Sequence, residues 1–536
     1  MQGLMMNYPL TLPHILERAG KLFPKIEIVS RLPDKKIHRT NYGEFYKRTR
    51  LFSEALQKAG LKPGDRVATL CWNHYRHLEA YFGIPCAGGV LHTLNLRLHA
   101  DDIAYIASHA EDRFLVVDDV LLPVYEQFKG KHKFERVFVI RSEGKPLPAG
   151  CEDYEDLLKT ASGKWDYPKI DENDALGMCY TSGTTGKPKG VLYSHRAIVL
   201  HTLCGGLVDN NGICHNDSLL LIVPMFHANG WALPFICAMV GSKLVLPGPH
   251  VDPESVLQLF DSERVTFSAG VPTVWQGVLE ALDKNPGKWR IEKGARLACG
   301  GSAPPEALMR GLDRHGLYLK HLWGMTELSP LGTAGYFKQN LGELPDEKRY
   351  AIRKTQGLPI PYVDCRIWSD TGEAPWDGKT MGELQVRGPW VAGNYFKDEG
   401  EGDKWTKDGW FRTGDVAVID EEGYVKLTDR TKDLIKSGGE WISSVDLENA
   451  IMGHPAVREA AVIAIPHPKW DERPLAVVVK KDGADVTLDE LKQFLAPKFA
   501  KWWLPEGLAF VPEIPHTSTG KIQKLKLREQ FQNWKW

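Results

Sequence analysis

The sequence predicts an α/β protein. A large N-terminal domain with doubly wound α/β sheets carries a small β-rich part and is followed by a small α+β C-terminal domain. Short apolar runs alternate with helical periodicity over roughly the first two-thirds of the chain, which is typical of parallel sheets covered by helices. Farther on, the apolar runs shorten and follow one another directly, as in antiparallel sheets. A chain of 536 residues also exceeds what one core usually organises, so we expect more than one domain.

The bulk composition is that of an ordinary globular protein, with 43% hydrophobic residues and a formal net charge of −1. A charge so near zero gives no long-range attraction to nucleic acids or anionic membranes. The nine cysteines include no Cys-x-x-Cys pair, which argues against a disulfide framework or zinc site and favours a reducing compartment. No apolar run approaches the roughly 18 residues of a spanning helix, and the first residues do not resemble a signal peptide. We therefore expect a cytoplasmic protein with no transmembrane segment and no nucleic-acid partner.

The first third of the chain alternates predicted helices with predicted strands. The helices are expected at residues 12–23, 42–59 and 77–88, and the strands at residues 66–71, 91–94 and 114–118. Strands separated by helical segments of this length favour parallel sheets.

The central third continues this alternation, and its polar and glycine-rich loops directly follow the predicted strands. Strands are expected at residues 219–223, 266–268, 295–299 and 317–322, and each leads into a loop, the last of which contains residues 323–327. In open α/β sheets, ligands bind in the crevice beyond the carboxyl ends of the strands. We therefore expect these loops to meet at one crevice.

Residues 180–190 (YTSGTTGKPKG) form the most distinctive stretch of the chain. They follow a predicted strand at residues 175–179 and precede a predicted helix that begins at residue 195 with Ser194 as its N-cap. The glycines allow backbone N–H groups to turn inward around an anion, and the hydroxyl and lysine side chains add donors and positive charge. The stretch is not a Walker A loop, because Pro188 follows Lys187 where that motif has Ser or Thr. A phosphate-binding loop is the preferred interpretation, and a Gly/Ser/Thr-rich surface loop is the alternative.

Beyond about residue 357 the pattern changes to short strands, expected at residues 384–387, 416–419 and 424–427. A charged junction at residues 429–433 (DRTKD) then precedes a different mixture of elements. That mixture comprises a helix at residues 445–452, strands at residues 457–465 and 475–479, and a helix that begins at residue 488, where a capping signature stands. We place the domain boundary at Lys432, so that the N-terminal domain spans residues 1–431 and the C-terminal domain spans residues 432–536.

Five separated segments together resemble the adenylate-forming superfamily, which includes acyl-CoA synthetases, firefly luciferase and peptide-synthetase adenylation domains. They are residues 180–190, 223–231 (VPMFHANGW), 323–330 (WGMTELSP), 435–444 (IKSGGEWISS) and 515–521 (PHTSTGK). The second, third and fourth segments are most similar to those of bacterial medium- and long-chain fatty acyl-CoA synthetases. The 3-methylmercaptopropionate CoA ligases share much the same segments.

The resemblance implies a two-step reaction. A carboxylate attacks the α-phosphate of ATP·Mg²⁺, and the thiol of coenzyme A then displaces AMP from the acyl-adenylate. It also implies that the C-terminal domain is mobile and turns about Lys432 between the steps. The expected substrates are a carboxylic acid, ATP and coenzyme A, with Mg²⁺ as cofactor, and a homodimer is plausible by analogy.

The resemblance assigns roles to individual positions of this chain. The catalytic residues are Lys521, His227 and Glu327, and the metal lies near Thr184 and Glu327. ATP and AMP contact Thr181, Ser182, Gly183, Thr184, Thr185, Gly186, Lys189, Gly301, Ser302, Ala303, Trp323, Gly324, Met325, Thr326, Asp415, Arg430, Lys432, Lys436 and Lys521. The acyl group contacts Trp231 and Val271, and coenzyme A contacts Ser437, Gly438, Gly439 and Trp441. Asp415 and Arg430 are expected at the ribose, and Lys521 bridges the carboxylate and the α-phosphate.

Several of these assignments have structural alternatives. Glu327 is alternatively an acid at a helix N-terminus, His227 a structural histidine and Trp231 a core aromatic. The neighbours of Lys521 at Lys524, Lys526 and Arg528 are interpreted as a solvated helix face.

The leading functional hypothesis is an AMP-forming ligase for medium- or long-chain fatty acids. The alternatives are a 3-methylmercaptopropionate CoA ligase, a non-catalytic nucleotide-binding relic, and an enzyme that oxygenates the adenylate as luciferase does.

Overall fold

The computed structural model describes residues 1, 3–141, 146–181, 187–398, 403–437, 440–517 and 521–536. Over these residues the chain forms mixed α/β layers followed by smaller, strand-rich units.

Helices and strands alternate along most of the chain. The helices are α1 (Leu12–Leu22), α2 (Tyr42–Lys58), α3 (Tyr75–Cys86), α4 (Ala100–Ala110), α5 (Leu122–Phe128), α6 (Tyr154–Lys159), α7 (His195–Gly205), α8 (Leu233–Val240), α9 (Pro253–Ser262), α10 (Pro272–Lys284), α11 (Glu306–Arg314), α12 (Asp346–Arg353), α13 (Ser444–Ile451), α14 (Leu488–Leu495) and α15 (Lys524–Gln530). The strands of the first half are β1 (Glu27–Arg31), β2 (Ile37–Asn41), β3 (Arg66–Leu70), β4 (Val90–Thr93), β5 (Asp112–Asp118), β6 (Arg136–Ile140), β7 (Glu152–Asp153), β8 (Ala175–Tyr180), β9 (Gly190–Ser194), β10 (Ser218–Leu220), β11 (Lys243–Leu246) and β12 (Phe267–Gly270). The strands of the second half are β13 (Arg296–Cys299), β14 (Tyr318–Gly324), β15 (Leu331–Ala334), β16 (Leu358–Pro359), β17 (Asp364–Ser369), β18 (Gly372–Glu373), β19 (Gly382–Arg387), β20 (Phe411–Ile419), β21 (Val425–Arg430), β22 (Ile435–Ser437), β23 (Glu440–Ile442), β24 (Val457–His467), β25 (Asp471–Lys480) and β26 (Gly507–Phe510).

Two large sheets confirm the predicted doubly wound α/β architecture. Within the described residues, one sheet has seven strands in the order β7-β6-β5-β3-β4-β8-β9, and the other has nine in the order β16-β15-β14-β13-β12-β10-β11-β1-β2. Their interiors are parallel, whereas the pairs β8–β9, β1–β2 and β14–β15–β16 are antiparallel. We call residues 180–190, which are predicted to bind phosphate, the phosphate-loop stretch. They run from the end of β8 to the start of β9, which are antiparallel neighbours in one sheet.

The β-rich part and the C-terminal domain are separate antiparallel units. The strands β18-β17-β19-β20-β21 form one five-stranded sheet, and β23-β22-β25-β24 form the other, with β26 added in parallel to β25. Lys432 lies in the turn between β21 and β22, which belong to different sheets. The change of sheet therefore falls between residues 430 and 435, and the domain boundary at Lys432 stays a prediction.

Local capping signals confirm the predicted helix starts. The side chain of Ser194 accepts from the backbone of Ala197, and Thr487 forms a full capping box with Glu490. Some predicted ends differ. The strand predicted at residues 219–223 spans Ser218–Leu220 instead and ends before Pro224.

The predicted solvated face of α15 is wrong at Lys524, which is buried. Its Nζ lies 2.8 Å from Oε1 of Glu448 on α13, and Arg528 pairs with Asp433 at 2.8 Å. Lys524 and Leu527 are three residues apart and therefore share the inner side of the helix, whereas Lys526 is exposed as predicted. A buried cation was not expected there because its carboxylate partner lies far away in sequence.

Among the described helices, none combines the length and apolar character that a membrane crossing requires.

Candidate active site

The loops at the carboxyl ends of the parallel strands meet as predicted, around a cavity of about 490 Å³. The loops after β8, β10, β13 and β14 contribute to it, together with residues from the β-rich part and from the C-terminal domain, whereas the start of α10, which follows β12, lines a second cavity. The predicted site residues that line it are Thr181, Lys189, His227, Trp231, Gly301, Trp323, Gly324, Met325, Thr326, Glu327, Arg430 and Lys521.

A second and larger cavity, of about 1290 Å³, adjoins the first along the face of the C-terminal domain. The two cavities share residues 323–325, Arg430 and Lys521, so these residues stand where the two spaces meet. Predicted site residues that line only the second cavity are Ser302, Ala303, Asp415 and Lys432.

Lys521 reaches this junction from a short hairpin of the C-terminal domain. Its backbone N–H donates to Oγ1 of Thr517 at 3.0 Å, and the N–H of Thr517 donates back to the carbonyl of Lys521 at 2.7 Å. Desolvation, with a smaller contribution from the nearby positive charge of Arg430, lowers the pKa of Lys521 to about 8. The Lys521 side chain of the C-terminal domain thus lies in the crevice, and its ammonium loses a proton more readily there than in water.

This pKa predicts an alkaline limit to activity. If the first half-reaction needs the ammonium form, its kcat/KM for ATP should fall as pH rises through about 8, because Lys521 then loses its proton. Pyrophosphate exchange without coenzyme A, measured from about pH 6 to about pH 10, isolates this step. Lys521→Arg keeps its charge throughout that range, so its alkaline limb should disappear even though its rate is lower. An identical alkaline limb in both proteins would assign the limit to another group.

His227 lies in the same cavity as Lys521 and is neutral at neutral pH. Burial lowers the pKa of His227 to about 4, and the ammonium of Lys521 acts in the same direction. An imidazole beside a lysine therefore has no charge with which to stabilise a phosphate at neutral pH. His227 is therefore available to a ligand only for hydrogen bonding or packing as an uncharged ring.

Asp415 and Arg430 face each other on neighbouring antiparallel strands, because they are paired in the register of β20 and β21. Nε of Arg430 lies 3.2 Å from Oδ1 of Asp415, and Nε1 of Trp323 donates to Oδ2 of the same carboxylate at 3.0 Å. These contacts fix the orientation of the buried carboxylate, and they hold the Trp323 indole where it lines both cavities. This geometry suits a carboxylate that accepts from vicinal hydroxyls beside an aromatic face.

Glu327 is a buried carboxylate just beyond the end of β14, and a residue outside every predicted motif orients it. The hydroxyl of Tyr395 donates to Oε1 of Glu327 at 2.7 Å. The backbone N–H of Ala392 also donates to the carbonyl of Glu327 at 2.7 Å. A hard carboxylate oxygen that lines a cavity beside lysines fits a site for Mg²⁺ together with phosphates.

The stem of the phosphate-loop stretch is closed by hydrogen bonds between its two sides. The N–H of Thr181 donates to the carbonyl of Lys189 at 2.9 Å, and the N–H of Lys189 donates to Oγ1 of Thr181 at 3.1 Å. Nζ of Lys187 lies 4.9 Å from the ring centre of Tyr105, which helps to line the cavity. The predicted residues Ser182, Gly183, Thr184, Thr185 and Gly186 lie outside the described residues.

Trp231 stands on a strained turn at the apolar side of the cavity. All five residues from 228 to 232 have positive φ, including 55° at Trp231, a conformation that costs non-glycine residues roughly 1–2 kcal/mol each. A methyl group at Gly300 would lie 3.0 Å from Cη2 of Trp231, so the glycine lets the indole lie across the sheet end. Trp231 is half-buried, with Leu233, Ala269, Leu322 and Leu331 around the same cavity.

Val271 is the N-cap of α10 and lies close to Gly301, one of the predicted nucleotide-binding residues. Its Cγ1 would be 3.2 Å from a methyl group at Gly301. It is not among the residues that line either cavity, so its predicted contact with an acyl group stays a prediction.

Comparison with known proteins identifies the family. A family model described as AMP-binding enzyme matches residues 16–396, and one described as AMP-binding enzyme C-terminal domain matches residues 446–521. The chain belongs to the AMP-binding enzyme family. The resemblance inferred from the sequence is confirmed, and the chain is an acid–thiol ligase.

Two relatives match over nearly their whole length. The chain is 50% identical over 533 residues to a long-chain-fatty-acid–CoA ligase of Thermus thermophilus, a match that covers 99% of this chain and 97% of that protein. It is 44% identical over 540 residues to a 3-methylmercaptopropionyl-CoA ligase of Ruegeria lacuscaerulensis, a match that covers 99% of each. A crystal structure of an anthranilate CoA ligase in complex with anthranoyl-AMP superimposes with a TM-score of 0.87 at 24% identity, over 99% of each chain, and shows the same fold.

The structure of this AMP-binding enzyme does not bring every predicted residue to the cavities. Lys436, Ser437 and Trp441 lie on the hairpin β22–β23, and none of them lines either cavity. Oγ of Ser437 accepts instead from Nη1 of Arg473 at 2.9 Å, and Nζ of Lys436 lies 5.9 Å from the ring centre of Trp441. The predicted coenzyme A residues Gly438 and Gly439 lie outside the described residues. The described arrangement therefore presents Lys521 to the crevice and keeps this hairpin away from it.

Two hydroxyls that were not predicted from the sequence hold the loop after β14 of this AMP-binding enzyme. One is Tyr395, and the other is Tyr193, whose hydroxyl donates to the carbonyl of Thr326 at 2.7 Å. Tyr193 precedes the Ser194 cap of α7, and a buried tyrosine that needs a partner was the signal that could have found it. Tyr395 carried no comparable signal, because no helix or strand is predicted between residues 387 and 416 that would indicate its burial.

Proposed function

We propose that this enzyme activates a medium- or long-chain fatty acid and transfers it to coenzyme A. In the first step a carboxylate oxygen forms a bond to the α-phosphorus of ATP, and the bond to the β-phosphate oxygen breaks, releasing pyrophosphate. In the second step the thiol sulfur of coenzyme A attacks the acyl carbonyl, loses its proton, and AMP leaves. The observation that carries the proposal is the meeting of Lys521 with Glu327, His227 and Arg430 around one cavity.

The first step depends on charge and on position. The ammonium of Lys521 is proposed to bridge the incoming carboxylate and the α-phosphate, which would otherwise repel each other. In a partly desolvated cavity such a cation stabilises developing negative charge far better than it does in water. Asp415, held by Arg430 and Trp323, is proposed to accept from the ribose hydroxyls and so to fix the nucleotide. His227 contributes as a neutral ring beside Lys521.

A magnesium ion is proposed to accompany ATP, since Mg²⁺ prefers a few hard oxygen ligands together with phosphates and water. Glu327 supplies such an oxygen, and Thr184 is the second proposed ligand, although it lies outside the described residues. When bound, the ion neutralises phosphate charge. Glu327 would hold the ion at one edge of the phosphate site.

The second step is proposed to use another orientation of the C-terminal domain. Lys521 fills the crevice in the described arrangement, and the hairpin with Ser437 and Trp441 lies outside it, so one rotation about Lys432 would exchange them. Such hinges are a few residues that absorb a large change in backbone angles. This exchange would remove the cation used for adenylation and admit the coenzyme A thiol.

The apolar wall of the cavity supports an aliphatic acid. Trp231, Leu233, Ala269, Leu322 and Leu331 surround one side of it, and pockets of this kind suit ligands with few polar groups. The identity to a 3-methylmercaptopropionyl-CoA ligase, together with an indole across the sheet end, supports a short thioether acid as the second candidate.

A panel of acids distinguishes the two candidates. With ATP, Mg²⁺ and coenzyme A, AMP release is expected to be fastest with acids of hexanoate length or longer, because each additional buried methylene adds about 1 kcal/mol of binding. The panel runs from butyrate to palmitate and includes 3-methylmercaptopropionate. No turnover of any acid longer than hexanoate would exclude the fatty-acid proposal. No acyl-adenylate from any acid would favour the non-catalytic relic.

The compartment and the assembly remain predictions. All nine cysteines are free thiols, which supports the proposed reducing, cytoplasmic location. A homodimer is proposed by analogy, and light scattering of the purified chain measures its mass directly.

A further inference from the structure

A short stretch of the β-rich part, residues 390–398, holds Glu327 at two points. We call it the clasp segment. Its Ala392 donates a backbone N–H to the Glu327 carbonyl, and its Tyr395 donates a hydroxyl to the Glu327 carboxylate, both at 2.7 Å. The hydrogen bond to the carbonyl fixes the position of the Glu327 backbone, and the hydrogen bond to the carboxylate fixes the orientation of its side chain.

The clasp segment also contacts residues 189 and 190, in the stem of the phosphate-loop stretch. The N–H of Phe396 donates to the carbonyl of Gly190 at 2.8 Å, and a methyl group at Gly190 would lie 3.2 Å from Cβ of Phe396. Asp398 lies 3.3 Å from Nζ of Lys189, whose ammonium also stands 5.0 Å from the ring centre of Tyr395. One run of four residues therefore connects the carboxylate after β14 with the base of the loop after β8.

The clasp segment is itself rigidly supported. Nε1 of Trp390 donates to the carbonyl of Leu331 at 3.1 Å, and the hydroxyl of Ser329 donates to the carbonyl of Trp390 at 3.0 Å. Nε1 of Trp405 donates to the carbonyl of Ala392 at 2.7 Å, and its ring meets that of Tyr395 edge-on at 5.3 Å between centroids. Tyr395 is only 6% exposed, so its hydroxyl is held where it is by packing as well as by hydrogen bonding.

We propose that Tyr395 is a positioning residue for metal–nucleotide binding. Its hydroxyl holds Oε1 of the Glu327 carboxylate, so that Oε2 would face the metal ion that is bound with ATP. Through Phe396 and Asp398, the same segment fixes the distance between that carboxylate and the phosphate-loop stem. This inference rests on the proposed function. Its physical basis is that the partner of a ligating carboxylate determines both its orientation and its strength as a ligand.

The test removes only the hydroxyl. In Tyr395→Phe, the dissociation constant of Mn²⁺ from the complex with a non-cleavable ATP analogue should rise about tenfold, which is the usual effect of losing such a partner. Electron paramagnetic resonance of free Mn²⁺ measures this without turnover. KM for the fatty acid should be unchanged, because Tyr395 acts through Glu327. Tyr395→His keeps a ring donor and should recover part of the lost affinity.

The control is Tyr424→Phe. Tyr424 is also buried, its hydroxyl donates to the carbonyl of Tyr336 at 2.9 Å, and it lines neither cavity. This variant should bind Mn²⁺ as the unaltered enzyme does. A similar fall in the melting temperatures of both phenylalanine variants, with weakened metal binding only at position 395, supports positioning over general destabilisation.

A double variant decides whether the hydroxyl acts through the carboxylate. Tyr395→Phe should weaken Mn²⁺ binding no further in a Glu327→Gln background, because the group it orients is already lost. Additive losses, or unchanged Mn²⁺ binding in Tyr395→Phe, would overturn the inference. These results are distinct from failure of the proposed function, which would show as a native enzyme that forms no acyl-adenylate.

Discussion

Lys521→Ala is expected to slow acyl-adenylate formation about 1,000-fold, because losing one preorganised charge-stabilising donor typically costs a factor of this order. The side chain reaches the crevice, whereas the hydrogen bonds of Lys521 with Thr517 involve only main-chain groups on the lysine's own side and survive the change. The hairpin should therefore keep its shape while the cation is lost. Thioester formation from preformed acyl-adenylate should proceed at the native rate, since the proposed domain rotation withdraws the cation from the crevice before that step.

The measurement is single-turnover formation of acyl-AMP, followed by a separate assay that supplies acyl-AMP and coenzyme A. Lys526→Ala is the matched control, because Lys526 is an exposed lysine five residues farther along. It should behave as the native enzyme in both assays. Equal loss of both half-reactions in Lys521→Ala would show that the lysine holds the domain together and does not serve adenylation.

Lys432→Pro is expected to produce the opposite pattern, with acyl-AMP formed normally and the thioester step slowed about 100-fold, the usual effect of misplacing reacting groups by a small distance. Lys432 lies between β21 and β22, where one sheet gives way to another. Proline fixes its own φ and restricts the residue before it, so the turn loses the freedom that a domain rotation requires.

Lys432→Ala is the control for the second prediction, because it removes the same side chain and leaves the backbone free. It should retain the thioester step. If alanine and proline slow that step equally, the side chain of Lys432 matters and its backbone freedom does not. If proline abolishes both steps, the turn is needed to reach the adenylation arrangement itself.

Much of the crevice was predictable because its parts are local in sequence. A strand that ends in glycines and hydroxyls identifies the phosphate-loop stretch, and the rule for carboxyl ends of strands predicts that the loops after β13 and β14 meet. The stem of the phosphate-loop stretch belongs to the other large sheet, so its place beside residues 323–327 depends on how the two sheets pack. The partnership of Asp415 and Arg430 came from the resemblance, and the antiparallel register of β20 and β21 explains it.

The unpredicted contacts all join residues that are far apart in the chain. Tyr395 is 68 positions from Glu327, and Lys524 is 76 positions from Glu448. Nothing near Lys524 distinguishes it from the exposed Lys526, since both are lysines of one short basic helix. The difference arises only when α15 packs with one side against α13.

The linear order of residues is enough to predict the alternation of helices and strands, the capped helix starts, the family and the residue types needed to activate an acid with ATP. Those properties are encoded by neighbouring residues, through backbone preferences and short-range periodicity. Three features depend on the folded structure: which side chains orient each carboxylate, the lowering of the pKa of Lys521 to about 8, and the position of the β22–β23 hairpin outside the crevice. Desolvation and orientation depend on how distant segments pack, and the linear order of the chain does not contain that information.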